Sequence, residues 1–203
     1  MTVKEPKRTV LVAAFLFSLL VGKVNAEDRL PFYAGFDLVQ LTTKVDDKTG
    51  VAPDVSGSSK SSTFRLIGGA HVNAWLDAEF RYDFPVGGNF STSGSTNNTV
   101  KTRVLSVLGK PKLSFKPVEL YGLIGASSVT TEVDGTKIFP AHSNTGTVSG
   151  FSYGAGAQFA FSQNIAATFE WVQYSKGTVD VSNSAGNLEV SARAIGAGIR
   201  YTF

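Results

Sequence analysis

The chain has only two histidines, and one of them lies beside a possible nucleophile. His142 is followed by Ser143, but serine hydrolysis needs a base within hydrogen-bond reach and an acid that orients this base. Adjacent strand residues face opposite sides, and Pro140 indicates that the segment is a loop. His71 is expected near a turn, where its ring makes a structural hydrogen bond.

The remaining search for reactive groups is short. The sequence has no cysteine, which excludes thiolate metal sites and cysteine nucleophiles. No carboxylate pair, metal-ligand spacing or phosphate-binding loop stands out. The sequence therefore predicts no catalytic, cofactor-binding or metal site, and the chain is expected not to be an enzyme.

Charged and apolar residues alternate between Trp75 and Phe84, in the sharpest pattern of the chain. This period of two predicts a strand with an apolar face and a polar face. A run of about ten residues is long for a soluble sheet and matches a tilted strand that crosses a bilayer. The apolar face consists of Leu76, Ala78, Phe80, Tyr82 and Phe84, and the polar face of Asp77, Glu79, Arg81 and Asp83.

Seven further segments alternate less cleanly, which brings the predicted strands to eight. They cover residues 32–44, 62–72, 99–109, 118–131, 149–161, 165–176 and 187–203. On the polar faces we expect five acids and five bases, which can neutralise one another inside a closed sheet. They are Asp37, Arg65, Asp77, Glu79, Arg81, Asp83, Lys101, Arg103, Glu170 and Arg200. Val104 and Leu108 are expected on the face opposite to Lys101 and Arg103.

The connections between these strands alternate in length. Long polar links are expected at about 45–61, 85–98, 132–148 and 177–186, and shorter ones near Asn73, at about 109–117 and at 162–164. Long loops on one side and short turns on the other are typical of a transmembrane barrel.

The excess positive charge lies at the start of the chain. The formal net charge is +3, and residues 1–26 hold four bases, including Lys4, Lys7 and Arg8, and one acid. With an apolar stretch from Val10 to Val21 and a cut after Ala26, this segment is predicted to be a cleaved signal peptide. Residues 27–203 then form one neutral domain, which gives no reason to expect a nucleic-acid partner.

Two closed sheets fit this pattern. In a soluble lipocalin-like barrel the apolar face points inward, whereas in a membrane barrel it meets lipid and the polar face lines the lumen. The Gly- and Ser-rich polar face, the aromatic residues near strand ends and a last strand that ends at Phe203 favour the membrane barrel.

The run GGAHVNAWLDAEFRY (Gly68–Tyr82) and the ending GAGIRYTF (Gly196–Phe203) resemble the small OmpA/OmpX-like outer-membrane proteins of the porin family. The resemblance implies an all-β fold, an eight-stranded antiparallel up-and-down transmembrane β-barrel, in the outer membrane of a Gram-negative bacterium. It also implies export through the inner membrane, periplasmic chaperones and recognition of Ile199, Tyr201 and Phe203 by the barrel-assembly machinery. Outer-membrane lipid and lipopolysaccharide would surround a monomeric barrel.

Three functions stay open at this stage. The first is a structural or surface-interaction role, such as adhesion or host defence, in which the loops bind a host or extracellular ligand. The second is a narrow porin-like path for ions or small solutes, with the lumen charges along it. The third is an enzyme that modifies lipid A.

Overall fold

The computed structural model describes residues 32–47, 57–92, 98–134, 144–180 and 187–203, and these residues form eight antiparallel strands. The predicted signal peptide, His142 and Ser143 lie outside these residues. No helix among the described residues has the length and apolar character needed to cross a membrane. The strands are β1 (Phe32–Asp47), β2 (Gly57–Asn73), β3 (Leu76–Thr92), β4 (Asn98–Phe115), β5 (Val118–Asp134), β6 (Asn144–Ala160), β7 (Ile165–Asp180) and β8 (Asn187–Thr202).

Each strand pairs with its neighbours in sequence, and β1 closes the barrel against β8. The closing ladder runs from the Tyr33↔Thr202 pair to the Asp47↔Leu188 pair. A closed ladder leaves no strand edge, which is the condition for a sheet to lie in hydrocarbon, because no water is available there to satisfy backbone groups. The predicted eight-stranded up-and-down barrel is therefore the fold of this chain.

The two faces of the wall differ in chemistry. Outward positions carry large exposed apolar side chains, including Phe32, Phe64, Phe80, Phe151, Phe169 and Ile199. Inward positions carry the buried charged residues together with small and aliphatic side chains. This arrangement is the reverse of a soluble barrel, and it is expected where the outer solvent is lipid.

The ladder continues into segments for which loops were predicted. β1 extends to Asp47, β3 reaches Thr92 and β6 begins at Asn144, because polar residues also pair through their backbones. The strands have 16 to 18 residues, whereas a tilted strand needs about 9–11 to cross the hydrocarbon core. The wall therefore extends past the apolar belt, and we call its outward-facing residues on the loop side the rim.

Three tight turns join strands at the opposite end. The backbone amide of Trp75 donates to the side chain of Asn73 at 2.9 Å, and that of Ile165 donates to Ser162 Oγ at 3.1 Å. The predicted connection at 109–117 is wrong, since β4 continues to Phe115 and the turn is Lys116–Pro117, whose peptide bond is cis. Short turns are expected on the periplasmic side of an outer-membrane barrel.

Candidate functional site

Glu170 on β7 lies at the centre of a charged cluster inside the barrel. Its Oε1 accepts a hydrogen bond from Arg81 Nη1 at 2.7 Å and another from Arg65 Nη1, and its Oε2 accepts from Tyr121 Oη at 3.2 Å. Glu170 and the two arginines are each at most 1% exposed. Because β3 and β7 are four strands apart in a ring of eight, the Arg81–Glu170 pair crosses the lumen.

Arg65 and Arg81 each bond to a second carboxylate besides that of Glu170. Arg65 Nε donates to Asp83 Oδ1 at 2.5 Å, and Asp83 also accepts from Tyr174 Oη at 2.9 Å. Arg81 Nε donates to Glu79 Oε2 at 2.7 Å. Charge-assisted bonds of this kind are the strongest hydrogen bonds available to these groups, so the two guanidinium groups are held in fixed positions.

Arg200 on β8 extends the cluster to the closing strand. Its guanidinium donates two hydrogen bonds to the Asp37 carboxylate, one of them from Nη2 to Oδ2 at 3.2 Å. The same Nη2 lies 3.9 Å from Glu170 Oε2. The seam between β1 and β8 is thus joined by side chains as well as by the backbone ladder.

A second group of charges lies nearer to the turns. Lys112 Nζ is 2.7 Å from Asp77 Oδ1, and His71 Nδ1 is also 2.7 Å from that oxygen. Lys110 Nζ lies 3.7–3.8 Å from the carboxylates of Asp77, Glu79 and Glu119, and it donates to the Gln158 side chain at 3.3 Å. The histidine therefore takes part in a structural hydrogen-bond network with Asp77 and Lys112.

Glu119 was missed because the faces of the predicted strand at 118–131 could not be assigned from the sequence, and Lys110 and Lys112 were missed because residues 109–117 were interpreted as a connection. Their signal is nevertheless present. Ser106, Leu108, Lys110 and Lys112 share one parity, and the structure places all four on the inner side of β4.

The inward orientation predicted for Lys101 and Arg103 is wrong. Both side chains are exposed on the outer face, whereas Val104 and Leu108 are each 1% exposed inside the barrel. The error has a physical cause: β4 carries aliphatic residues on both faces, and its two outward cations lie beyond the apolar belt, where the outer surface is wet. The other predicted members, Asp37, Arg65, Asp77, Glu79, Arg81, Asp83, Glu170 and Arg200, lie in the lumen.

Aliphatic side chains fill the lumen on the loop side of the charges. Val39 and Leu41 follow Asp37 along β1, and Val172 follows Glu170 along β7. They form one buried cluster with Val104, Leu123, Val129, Ala192 and Ala194. Beside it the hydroxyl groups of Ser127 and Ser152 lie 2.5 Å apart. In the described part of the lumen, side chains therefore fill both the charged level around Glu170 and the aliphatic level on its loop side.

Small residues give the large inner side chains their space. A Cβ on Gly69 would overlap the ring of Tyr33, and one on Gly156 would overlap the ring of Tyr121. Tyr33 donates a hydrogen bond to Glu79 at 2.6 Å, and Tyr121 donates one to Glu170. The glycines of the inner face thus fix the position of the hydroxyl groups that complete the network.

The outer wall has a shallow groove near the turns. It is lined by Trp75, Pro111, Leu113, Leu120 and Gly122 among others. Pro111 has no N–H and cannot donate to the ladder. The pairing of β4 with β5 is interrupted at this point, between the Gly109↔Ile124 and Lys112↔Tyr121 pairs. The groove lies on the outer face of the wall, among exposed apolar side chains. Among the described residues, no group of three or more His, Asp or Glu side chains is placed so that it could hold a metal ion.

The closed wall, the lipid-facing outer surface and the neutralised lumen define a small outer-membrane barrel. The family model for the outer membrane protein beta-barrel domain matches residues 9–203, and the chain belongs to this family. No curated protein matches the sequence.

Solved structures with the same fold differ widely in sequence. Neisserial surface protein A is 17% identical over 85% of this chain and 97% of its own, with a TM-score of 0.58. OprG from Pseudomonas aeruginosa is 10% identical over 89% and 99%, with a TM-score of 0.60. AlkL, solved in lipid bilayers, is 13% identical over 100% and 97%, with a TM-score of 0.60. At these identities the likeness shows the fold alone.

Proposed function

We propose that this protein is a non-enzymatic, monomeric barrel with a closed lumen, which acts in envelope structure or in surface interaction through its rim and loops. The observation that carries the proposal is the Arg81–Glu170 pair, which crosses the lumen with both side chains buried. An eight-stranded barrel is just wide enough for its side chains to fill the interior. A charged crossing at the middle of such a barrel leaves no continuous path for solute.

The outside of the molecule is then where its function lies. The extended wall ends beyond the membrane surface, and loops on a rigid scaffold commonly carry binding sites. Adhesion to a host or another extracellular ligand fits this arrangement. One of the similar barrels is named a surface protein, which agrees with the proposal but concerns that protein.

The proposal includes the route to the membrane. The chain is exported with residues 1–26 as a cleaved signal peptide, meets periplasmic chaperones, and is inserted by the barrel-assembly machinery of a Gram-negative bacterium. Ile199, Tyr201 and Phe203 form its assembly signal. Ile199 and Tyr201 lie on the outer face of β8, and Phe203 is 75% exposed, so all three are available for recognition.

Conductance in planar bilayers tests the closed lumen. We expect no discrete current steps from the folded wild-type protein, and steps from Leu41→Ala/Arg81→Ser/Glu170→Ser/Val172→Ala, which removes the crossing pair and also opens the aliphatic packing on its loop side. Lys101→Ser/Arg103→Ser, with both changes on the outer wall, is the matched control and should give none. Steps from the wild-type protein would instead support the narrow porin-like path.

Two further measurements separate the remaining functions. Bacteria that display the full chain should adhere to host cells or matrix, and replacement of residues 135–143 or 48–56 by a short Gly-Ser linker should reduce this adhesion. Mass spectrometry of lipid A from a deletion strain should show an unchanged structure. A changed lipid A would support the enzyme instead.

A further inference from the structure

Three basic residues lie together on the outer face of the wall, on three adjacent strands. Thr42 on β1 pairs with Lys60 on β2 and with Arg193 on β8. Neighbouring strands are about 4.8 Å apart, so the Cα atoms of Lys60 and Arg193 are about 10 Å apart across β1. Lys44 follows Thr42 on the same face, about 7 Å further along the strand. All three cations are exposed, and we call them the rim triad.

The rim triad differs in its charge environment from Lys101 and Lys176, two other outward cations. Lys44, Lys60 and Arg193 form no ion pair with any side chain that the structure describes. Lys176, on the same rim, is 2.7 Å from Glu189, and Lys101 lies opposite Glu132 in the β4–β5 ladder. The triad therefore places three cations that form no ion pair with a described side chain on one side of the barrel.

The height of the triad places it at the edge of the lipid-facing surface. Twelve residues separate Phe32 from Lys44 along β1, which corresponds to a rise of about 30 Å for a strand tilted by about 40°. The apolar band of an outer-membrane barrel is about 25 Å tall. Below the triad, Leu38, Phe64 and Ile195 are exposed apolar residues. Gln40 and Ser62 separate the first two from the cations of β1 and β2, whereas Ile195 is the next outward residue after Arg193.

We propose that the rim triad binds the phosphate groups of an outer-leaflet lipid. The three cations point sideways, into the plane of the membrane, at the level where acyl chains end and headgroups begin. A guanidinium fork and two ammonium groups are suited to phosphate oxygens. Their aliphatic stems lie along the wall while the charged ends reach the headgroup layer. This site anchors lipid on one side of the barrel and is independent of any loop ligand.

The ligand chemistry is that of a lipid-linked phosphate, such as the two phosphates of the lipid A headgroup. The apolar surface beneath the triad supplies a place for the acyl chains, which a free phosphate ion lacks. Inorganic phosphate at millimolar concentration should therefore leave lipid bound. Added salt should weaken binding, because the interaction joins exposed opposite charges.

Binding of diphosphoryl lipid A to the folded full chain in non-ionic detergent tests the site, with native mass spectrometry as the readout. One basic residue near an anionic lipid surface corresponds to about a fivefold change in binding. We expect Lys60→Gln/Arg193→Gln to bind about 25-fold more weakly, and Lys60→Arg/Arg193→Lys to retain binding. Monophosphoryl lipid A should bind the wild-type protein more weakly than the diphosphoryl form.

The matched control is Lys101→Gln/Lys176→Gln, which removes two cations from the same rim and should leave binding within about threefold of the wild type, a margin below that of a single basic residue. Heat-modifiable migration on gels shows that each variant is folded. Equal weakening by the two pairs of substitutions would overturn the proposal, because it would mean that only the overall charge matters. Unchanged binding in Lys60→Gln/Arg193→Gln, or displacement of lipid by inorganic phosphate, would also overturn it.

Discussion

The inner and outer walls of the barrel use the same kinds of cation in opposite ways. Inside, Arg65 and Arg81 are buried and share Glu170, and each has a further carboxylate of its own. Outside, Arg193 and Lys60 are exposed and form no ion pair with a described side chain. The difference follows from solvent. A buried charge must be paired because desolvation is costly, whereas an exposed charge is solvated and stays available to a partner.

This contrast separates two tasks within one strand. β8 carries Arg200 in the lumen, where it bonds to Asp37, and Arg193 on the rim. The first residue belongs to the architecture of the barrel. Arg193 is exposed on the outer face, and only exposed residues of this kind are expected to determine what the protein binds.

The largest effect is expected from breaking the inner network. Arg81→Ala leaves Glu79 and Glu170 buried with too few partners, so the free energy of unfolding should fall by about 3–5 kcal/mol. Urea titrations in lipid vesicles, followed by gel mobility, measure this loss. Arg193→Ala is the outer-wall control and should change stability by less than about 0.5 kcal/mol. Equal losses in the two variants would show that the inner network is not what stabilises the barrel.

A smaller effect is expected from steric change at two neighbouring glycines. A Cβ at Gly69 overlaps the Tyr33 ring, whereas one at Gly68 has nothing within 4 Å. Gly69→Val should therefore destabilise the barrel by about 1–3 kcal/mol through overpacking, and Gly68→Val should not. The same urea titration compares them. If Gly68→Val proved the more costly change, the assigned faces of β2 would be reversed.

The smallest effect is expected at the two cations that were misassigned. Lys101→Gln/Arg103→Gln alters exposed side chains on the outer face and should change the free energy of unfolding by less than about 0.5 kcal/mol. A loss of several kcal/mol on refolding would place these residues back in the lumen network.

The sequence predicts a strand well where one face meets lipid and the other is charged. β3 shows this between Leu76 and Phe84, so its faces could be assigned from alternation alone. β4 does not, because Val104 and Leu108 pack inside while Leu105 and Val107 lie outside. When both faces of a strand are aliphatic, alternation does not show which face points into the lumen. For β4, only its pairing with the neighbouring strands determines this.

The site itself was harder to predict than the fold. Parity indicates that Glu170 and Arg81 point inward, but it does not show that they meet, since they lie 89 residues apart. Their contact depends on the number of strands and on the relative stagger between them. Lys110 and Lys112, nearer to the turns, were missed for a different reason: residues 109–117 were interpreted as a connection, whereas β4 continues past Pro111 to Phe115.

The partners of the lumen network are distant along the chain. Their charges are therefore fully neutralised only when β8 pairs with β1 and the barrel closes. Asp37 and Arg200 are separated by 163 residues and come from the first and last strands. Until β8 has docked against β1, Asp37 lacks Arg200 and has only Arg65, whose Nη1 lies 3.6 Å from its Oδ2. Glu170 then has only Arg65 and Arg81 beside it. Each incompletely closed intermediate thus holds uncompensated charge. Such intermediates are disfavoured in lipid, so membrane insertion and completion of the barrel are expected to occur together.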